Sequence, residues 1–205
     1  PRSTLFPYTT LFRSITGIVL AGGLGRRLGG VDKGLQELRG RPLVAHVIER
    51  FAPQVDELLI NANRNRERYA AFGQRVVADL IPDFAGPLAG LHAALSAAAH
   101  PLVATAPCDS PFLPGDLVSR LFSALTVANA SLAVARTFDQ PHPVFCLCQR
   151  GVLPHLSDFL AGGGRKVDRW YATLDVVEVA FDDEAEAFAN INTREEIGRF
   201  AAAKE

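Results

Sequence analysis

The sequence predicts a three-layer α/β protein, in which a mainly parallel sheet carries helices on both faces. From residue 15 onward, short apolar runs typical of strands alternate with segments of helical periodicity. Four predicted strands end in a glycine pair or a polar residue, and a loop rich in glycine and cations follows the first. Ligands of open α/β sheets bind outside the carboxyl ends of the strands. We therefore expect a ligand site at that edge of the sheet.

Hydrophobic periodicity defines the predicted elements in chain order. In the first half, the predicted strands are 15–21, 56–63, 75–79 and 101–109. The helices between them are a segment of about 11 residues opened by Arg41-Pro42, then 66–72 and 88–99. In the second half, we predict strands at 131–136, 140–148 and 174–181, and helices at 114–126, 149–161, 166–172 and from a capping box at 193–196. The predicted strand at 140–148 is expected to be entered through a constrained Pro-His-Pro turn at 141–143.

The loop after the first predicted strand combines glycines with positive charge. It contains five glycines, at 22, 23, 25, 29 and 30, and three cations, Arg26, Arg27 and Lys33. Glycine lets backbone N–H groups converge on a ligand, and cations balance the charge of a polyphosphate. The loop therefore predicts a site for a nucleoside triphosphate. A flexible glycine-rich surface turn is the alternative, although such turns seldom follow a buried strand and carry cations.

Two familiar phosphate-binding loops do not match this stretch. The dinucleotide fingerprint G-x-G-x-x-G/A would begin at Gly23, but its last position is Leu28. The Walker A motif needs Gly-Lys-Ser/Thr, whereas Lys33 lies between Asp32 and Gly34. The loop therefore belongs to neither class.

Polar residues end the other three predicted strands of the first half. Asn61 and Asn63 end the second strand, Asp79 ends the third and Asp109 ends the fourth. One such aspartate is ordinary, because Asp is common in turns and at helix N-caps. A series of four strand ends, each with a polar or glycine motif, instead favours a binding site.

Composition and charge narrow the class of protein. With 205 residues, 48% hydrophobic and 21% charged, the chain suits one globular domain. A net charge of −1 gives no support for nucleic-acid binding, and no apolar run is long enough to span a bilayer. The three cysteines form no disulfide-scaffold pattern, so we expect a reducing compartment and a cytoplasmic protein. Cys146 and Cys148 are taken as packing residues, because two thiolates alone do not make a metal site.

Residues 1–14 differ in character from the rest of the chain. Thr4 to Ser14 look like the conceptual translation of a common sequencing-adapter oligonucleotide, and no secretory signal pattern is present. We expect a sequence artefact here; an authentic disordered tail is the alternative, and neither carries function. The expected domain is then 15–205.

Seven short motifs extend over nearly the whole chain. They are Leu20-Ala-Gly-Gly, Gly30-Val-Asp-Lys-Gly34, Asn61-Ala-Asn63, Gly86-Pro-Leu-Ala-Gly90, Pro107-Cys-Asp109, His142-Pro143 and Asn190-Ile-Asn-Thr193. In this order and spacing, they resemble the motif series of the molybdenum cofactor guanylyltransferases. The resemblance implies a Rossmann-like nucleotidyltransferase fold. It also implies transfer of GMP from Mg-GTP to molybdenum-molybdopterin, which forms the guanine dinucleotide cofactor and releases pyrophosphate.

The resemblance further implies roles for individual residues in the half that binds the nucleotide, 15–110. Lys33 would hold the GTP phosphates and Asp109 would bind Mg²⁺, which makes these two the predicted catalytic residues. The other predicted nucleotide-binding residues are Leu20, Ala21, Gly22, Gly23, Arg27, Asn61 and Asp79, with Asp79 on the guanine side. The implied partners are GTP, molybdenum-molybdopterin and, transiently, molybdenum-insertion proteins and molybdoenzyme apoproteins.

The half expected to bind the acceptor, 111–205, carries the remaining candidates: His142, Arg165, Lys166, Asn190 and Asn192. Each has a structural alternative. Arg165-Lys166 matches a solvated cationic turn equally well, His142 between prolines matches a rigid turn, and the two asparagines match turn-formers before the capping box.

Three other functions stay open for this sequence. Two share the fold: a cytidylyltransferase for the same cofactor, and a sugar-phosphate nucleotidyltransferase. The third is a non-catalytic nucleotide-binding protein, against which the presence of both Lys33 and Asp109 argues. Preference for GTP over CTP distinguishes the guanylyltransferase from its cytidylyl relative.

Overall fold

The computed structural model describes residues 14–21, 32–81 and 86–202. The strands are β1 Ile15–Leu20, β2 Glu37–Leu38, β3 Arg41–Pro42, β4 Glu57–Asn61, β5 Arg75–Val77, β6 Leu102–Pro107, β7 Leu132–Thr137, β8 Gln140–Gln149 and β9 Val176–Ala180. The α-helices are α1 Leu43–Phe51, α2 Arg66–Ala70, α3 Pro87–Ala97, α4 Leu117–Ala128, α5 Leu153–Ala161, α6 Val167–Tyr171 and α7 Arg194–Ala202. Short 3₁₀ segments lie at Lys33–Leu35, Ala52–Gln54, Arg150–Val152 and Asp182–Phe188. Of the expected tail at 1–14, only Ser14 lies within the described residues.

The central sheet has seven strands in the order β5-β4-β1-β6-β8-β7-β9. Neighbouring strands are parallel except around β8, which runs antiparallel to β6 and β7. The chain steps from β1 to β4 and β5 on one side, then crosses to β6 on the other side of β1. This reversal leaves a crevice outside the carboxyl ends of β1 and β6, where ligands of such sheets bind. The predicted mainly parallel sheet is confirmed.

Helices cover both faces of the sheet, as predicted. On one face, α1 and α4 bury Val44, Val47, Phe51, Leu117 and Leu121. On the other face, α3, α5 and α6 bury Leu88, Leu91, Leu95, Leu156, Leu160 and Trp170. Side chains of a strand alternate between its two faces, and in β1 Val19 belongs to the first cluster while Ile18 belongs to the second. Helices on both faces therefore bury β1 between the two outer layers.

The last helix packs on the β2–β3 hairpin. Leu38, Leu43 and Ile191 form a small buried cluster there. The predicted capping box is present: the Glu196 N–H donates to Thr193 Oγ1 at 3.1 Å, and the Thr193 N–H donates to the Glu196 carboxylate at 3.0 Å. The cap and the cluster together bring the segment before α7 back to the first half of the chain.

The prediction of a Pro-His-Pro turn at 141–143 is wrong, because these residues lie inside β8. The turn between β7 and β8 is formed by Phe138 and Asp139 instead. The register of β6 with β8 ends at the pair Thr105 and Cys146. The two prolines lie beyond that ladder, so their missing N–H groups interrupt no hydrogen bond to β6.

The three cysteines are free thiols, and all are buried. Cys146 and Cys148 belong to the core cluster of the second face, so their predicted packing role is confirmed. In the described ranges, no helix has the length and apolarity needed to cross a membrane.

Replacing Thr193 by alanine removes the hydroxyl that caps α7. We expect Thr193→Ala to lower the free energy of unfolding by about 1 kcal/mol, because the Glu196 N–H loses its acceptor. Urea denaturation measures the change. Thr193→Ser keeps the hydroxyl and is the matched control, for which we expect a much smaller loss. Equal losses in the two variants contradict the capping role.

Candidate active site

Lys33, Asp109 and Asn192 meet at the carboxyl edge of the sheet. Lys33 begins the 3₁₀ segment after the glycine-rich loop, Asp109 lies two residues beyond β6, and Asn192 lies shortly before α7. The Lys33 ammonium donates to the Asp109 carboxylate at 3.3 Å and to the Asn192 amide oxygen at 2.5 Å. The two ionic side chains are partly shielded, with 28% of Lys33 and 12% of Asp109 exposed. The structure therefore brings both predicted catalytic residues into direct contact.

Backbone and side-chain hydrogen bonds hold the segment of Asn190 and Asn192 against the end of β6. The Ile191 N–H donates to the Asp109 carbonyl at 2.8 Å, and the Ser110 hydroxyl donates to the Asn190 amide oxygen at 2.6 Å. The Asn192 N–H donates to the Glu196 carboxylate at 2.6 Å, and this bond holds the pKa of Glu196 below its usual value. Both predicted asparagines therefore lie beside Asp109.

A second polar cluster lies beyond β4 and β5. The Asn61 and Asn63 amide groups each donate to one oxygen of the Asp79 carboxylate, both at 2.8 Å, and the Asp79 N–H donates to Asn63 Oδ1 at 2.9 Å. Asn61 is only 2% exposed. A Cβ added to Gly90 of α3 would lie 2.7 Å from the amide oxygen of Asn61, so only glycine fits at position 90. Asn61 thus orients Asp79, which is half-buried.

The end of β1 lies between these two clusters. The Ala21 N–H donates to the Asn61 carbonyl at 2.8 Å, and the Leu20 carbonyl accepts from the Cys108 N–H at 3.1 Å. Leu20 and Ala21 therefore occupy the centre of the crevice, as the parallel sheet predicts. Gly22, Gly23 and Arg27, with the supporting Arg26, lie outside the described residues.

His142 lies at the same edge, because β8 begins where β6 ends. Its ring stacks on Phe188 with 4.7 Å between the ring centroids, and its Nε2 shares a 2.7 Å hydrogen bond with the Thr137 hydroxyl. Phe188 precedes Asn190 by two residues, which connects His142 to the asparagine segment. Burial lowers the pKa of His142.

Arg165 and Lys166 are exposed on the loop between α5 and α6. The Arg165 guanidinium donates to the carbonyls of Leu160 and Gly164, at 2.9 and 2.7 Å, which both belong to its own helix and loop. In the described part of the chain, the contacts of Arg165 therefore do not join it to the Lys33 cluster. The predicted acceptor residues therefore fall into separate places. Asn190 and Asn192 lie next to Asp109, whereas Arg165 and Lys166 lie on the loop between α5 and α6.

Sequence reasoning missed the residues that surround Lys33. The Tyr69 hydroxyl donates to one oxygen of Asp32, and the Asn65 amide donates to the other at 3.0 Å. The signal in the sequence was Asp32 itself, an acidic residue directly before the predicted phosphate-binding lysine. Its partners in and before α2 are more than thirty positions away, and no periodicity connects them.

Among the residues that the structure describes, the acidic groups of the site do not form a closed metal cage. In residues 14–21, 32–81 and 86–202, no group of three or more His, Cys, Asp or Glu side chains is arranged to hold a metal ion. Asp109 is a single carboxylate with the Asn192 amide nearby, joined through Lys33. This oxygen donor set suits a hard cation that brings further ligands with it.

The site combines an ammonium, a carboxylate and amides at the point where the strand order of a mainly parallel sheet reverses. This combination is typical of proteins that bind nucleotides and neutralise their phosphate charge, such as nucleotidyltransferases. Comparison with known families agrees with this class. Residues 17–176 match the model of the MobA-like NTP transferase domain. The chain belongs to the MobA-like NTP transferase family.

Several relatives are similar to the chain over most of its length. The molybdenum cofactor guanylyltransferase of Cupriavidus necator is 53% identical over 188 residues, which cover 89% of this chain and 94% of the relative. The enzyme of the same name from Ralstonia nicotianae is 50% identical over 196 residues, covering 91% and 96%. The predicted resemblance is therefore confirmed.

A solved structure has the same fold. Molybdopterin-guanine dinucleotide biosynthesis protein A from Archaeoglobus fulgidus superposes with a TM-score of 0.75 and covers 91% of this chain and 96% of its own. Its sequence identity is 24%, so this likeness speaks for the fold alone.

The lowered pKa of His142 predicts how the protein responds to acid. The folded protein binds this proton less readily than the unfolded chain, so folding favours the neutral ring. The free energy of unfolding therefore falls as the pH drops from about 6.5 through the lowered pKa. NMR titration of the imidazole signal that His142→Asn removes should give a midpoint below that value. A midpoint at or above it contradicts the burial argument.

Proposed function

We propose that the protein transfers GMP from Mg-GTP to molybdenum-molybdopterin, forming the guanine dinucleotide cofactor and releasing pyrophosphate. The observation that carries the proposal is the contact of Lys33 with Asp109 at the crevice beside β1. Relatives that are 50% and 53% identical to this chain bear the name molybdenum cofactor guanylyltransferase, which supports the choice of substrates.

Asp109 is the proposed magnesium ligand. Mg²⁺ usually takes one or two carboxylates and completes its shell with waters and substrate phosphates, so one shielded carboxylate beside an amide fits this ion. When bound with the nucleotide, Mg²⁺ neutralises phosphate charge. Asp109 contributes the fixed anionic anchor for it, because its own backbone carbonyl is held by the Ile191 N–H.

Lys33 is the proposed phosphate ligand. Its ammonium has one anionic and one neutral partner, Asp109 and Asn192, and both can be exchanged for phosphate oxygens when the nucleotide binds. In the reaction, a phosphate oxygen of molybdopterin forms a bond to the α-phosphorus of GTP, and the bond to the bridging oxygen of the β-phosphate breaks. The electron pair leaves with pyrophosphate, whose growing charge Lys33 stabilises. The attacking phosphate is already an anion, so no general base is needed.

Asp79 is the proposed guanine ligand. Each of its oxygens accepts one hydrogen bond from an asparagine, and a carboxylate has about four acceptor sites, so capacity for two more donors remains. The N1–H and N2–H₂ groups of guanine are two adjacent donors. Cytosine offers only one donor group on its pairing edge, beside two acceptors that a carboxylate repels. The proposed role of Asn61 and Asn63 is to fix the carboxylate for this recognition.

The acceptor is proposed to bind on the side of Asn190, Asn192 and His142. These residues follow Asp109 along the same edge, through the Ile191 and Phe188 contacts. An acceptor phosphate must reach the α-phosphorus near Lys33, which favours the asparagines over Arg165 and Lys166. The latter two fit a more distant part of the acceptor. A cytoplasmic location, and transient contacts with molybdenum-insertion proteins and molybdoenzyme apoproteins, are proposed on the family alone.

Incubation with molybdate-loaded molybdopterin, Mg²⁺ and each nucleoside triphosphate tests the proposed reaction. We expect a guanine dinucleotide product by mass spectrometry, from GTP only. A cytosine dinucleotide identifies a cytidylyltransferase instead. Consumption of GTP only with sugar phosphates identifies the third possible enzyme of this fold, and binding without turnover identifies a nucleotide-binding protein.

Removing the Asp109 charge tests the metal anchor. We expect Asp109→Asn to lower Mg²⁺-dependent transfer at least about 100-fold, because the preorganised anion is lost, while circular dichroism stays that of the parent. Asp158→Asn, which alters an exposed carboxylate on α5, is the matched control and should retain the parent rate. Undiminished transfer by Asp109→Asn would mean that the metal anchor lies elsewhere.

Neutralising Asp79 tests base recognition. We expect Asp79→Asn to reduce the ratio of kcat/KM for GTP to that for CTP by at least about tenfold, because one acceptor of the paired guanine donors becomes an N–H₂ group. Steady-state rates with the two nucleotides measure the ratio. An unchanged ratio assigns base selection to another part of the crevice.

A further inference from the structure

We propose that Tyr69 is a positioning residue, which holds Lys33 in its working place through a hydrogen bond to Asp32. The proposal deepens the function proposed above and rests on it for the role of Lys33. Nothing in the motif series points to Tyr69, which lies in α2, outside every segment that carries the family resemblance.

The Asp32 carboxylate is held at both oxygens. One accepts from the Tyr69 hydroxyl and the other from the Asn65 amide at 3.0 Å. Tyr69 is fully buried, and Asn65 has a φ of 50°, a left-handed conformation that asparagine adopts more readily than most other non-glycine residues. Asp32 and its two partners therefore form a defined clasp between α2 and the residue before Lys33.

Gly34, the residue after Lys33, also packs closely against its surroundings. A Cβ added there would lie 2.6 Å from the Tyr69 hydroxyl oxygen and 3.1 Å from the Cys108 sulfur. The backbone from Asp32 to Gly34 thus lies tightly between Tyr69 and the residue that precedes Asp109. Only glycine, which has no Cβ, permits this approach at position 34.

The Tyr69 hydroxyl donates to Asp32 from a fully buried position. Burial raises the pKa of Tyr69, and the neighbouring Cys108 and Asp32 raise it further. These effects favour the protonated phenol, which is the form that donates to Asp32.

The clasp gives Lys33 a stationary backbone from which its side chain can move. The ammonium contacts Asp109 and Asn192 across the crevice, and the proposed reaction requires it to turn to the phosphates. A lysine side chain has four rotatable bonds, so its tip is placed only if its backbone is fixed. Loss of the clasp should lower kcat more than it raises the KM for GTP.

A double-mutant cycle on turnover is the first test. We expect Tyr69→Phe to lower kcat about tenfold, since it breaks a hydrogen bond to a charged group. If Tyr69 acts through Asp32, Tyr69→Phe should cause no further loss in an Asp32→Ala background, which leaves the Tyr69 hydroxyl no side-chain acceptor at position 32. Independent, multiplicative losses in the double variant overturn the proposal, as does a parent-like kcat for Tyr69→Phe.

The control is a hydroxyl with the same chemistry at the other edge of the sheet. Thr16 is fully buried, and its hydroxyl donates to the Glu57 carboxylate at 2.6 Å near the amino end of β1. Thr16→Val removes that bond, and with it the acceptor of the His100 N–H at 3.3 Å, as Tyr69→Phe removes the other. We expect a lower melting temperature in both variants but a parent-like kcat only in Thr16→Val. Equal loss of kcat in the two variants means that stability alone explains the effect.

A second test does not need turnover. The chain has three lysines, at 33, 166 and 204, so acetylation by an N-hydroxysuccinimide ester can be followed at each by mass spectrometry. In the parent, Lys33 should react more slowly than the exposed Lys166. Tyr69→Phe should accelerate Lys33 about threefold or more, as its pairing loosens, and leave Lys166 unchanged. An unchanged Lys33 rate overturns the clasp even where transfer is impaired. A parent that transfers no GMP refutes the proposed function, yet this labelling still tests the clasp.

Discussion

The arrangement of the crevice depends on how the partly shielded ammonium of Lys33 is paired. A charge removed from water needs partners of opposite sign or strong dipoles, and here Asp109 and Asn192 supply them. These partners come from the end of β6 and from the segment before α7, 76 and 159 positions away. The sheet and the small cluster under α7 must both be complete before the three groups can meet. Assembly of the site therefore reports on the whole fold.

Two polar clusters lie in the crevice, one on either side of β1. One contains Asp79 with its asparagines beyond β4 and β5, and the other contains Lys33 and Asp109 beside β6. The strand order explains the division, because the chain turns back at β1 and leaves a gap between the two directions. In the proposed function, a nucleotide laid across β1 would meet the Asp79 carboxylate on one side, for base recognition, and the Lys33 ammonium on the other, for the phosphates.

Much of this arrangement follows from the sequence. Alternating periodicity and polar strand ends predicted the sheet, and they brought Asp79 and Asp109 to one edge because parallel strands share their direction. Contacts that depend on packing were beyond reach. The Tyr69–Asp32 bond joins an ordinary helical residue to a loop, and the two-residue strands β2 and β3 are too short to show a period. The prediction of a turn at Pro-His-Pro was wrong because it treated the two prolines as incompatible with a strand. They are tolerated in β8 because its hydrogen bonds to β6 end before them, and this end is set by tertiary pairing.

A crystal structure with Mg²⁺ and a non-hydrolysable GTP analogue tests the central claim most directly. The expected result has Mg²⁺ bound to the Asp109 carboxylate and the Lys33 ammonium moved from Asp109 to the phosphates. The guanine should lie against Asp79, with the Tyr69–Asp32 bond unchanged. A nucleotide bound elsewhere, or one bound while Lys33 and Asp109 stay paired and the metal has other ligands, would contradict the proposed site.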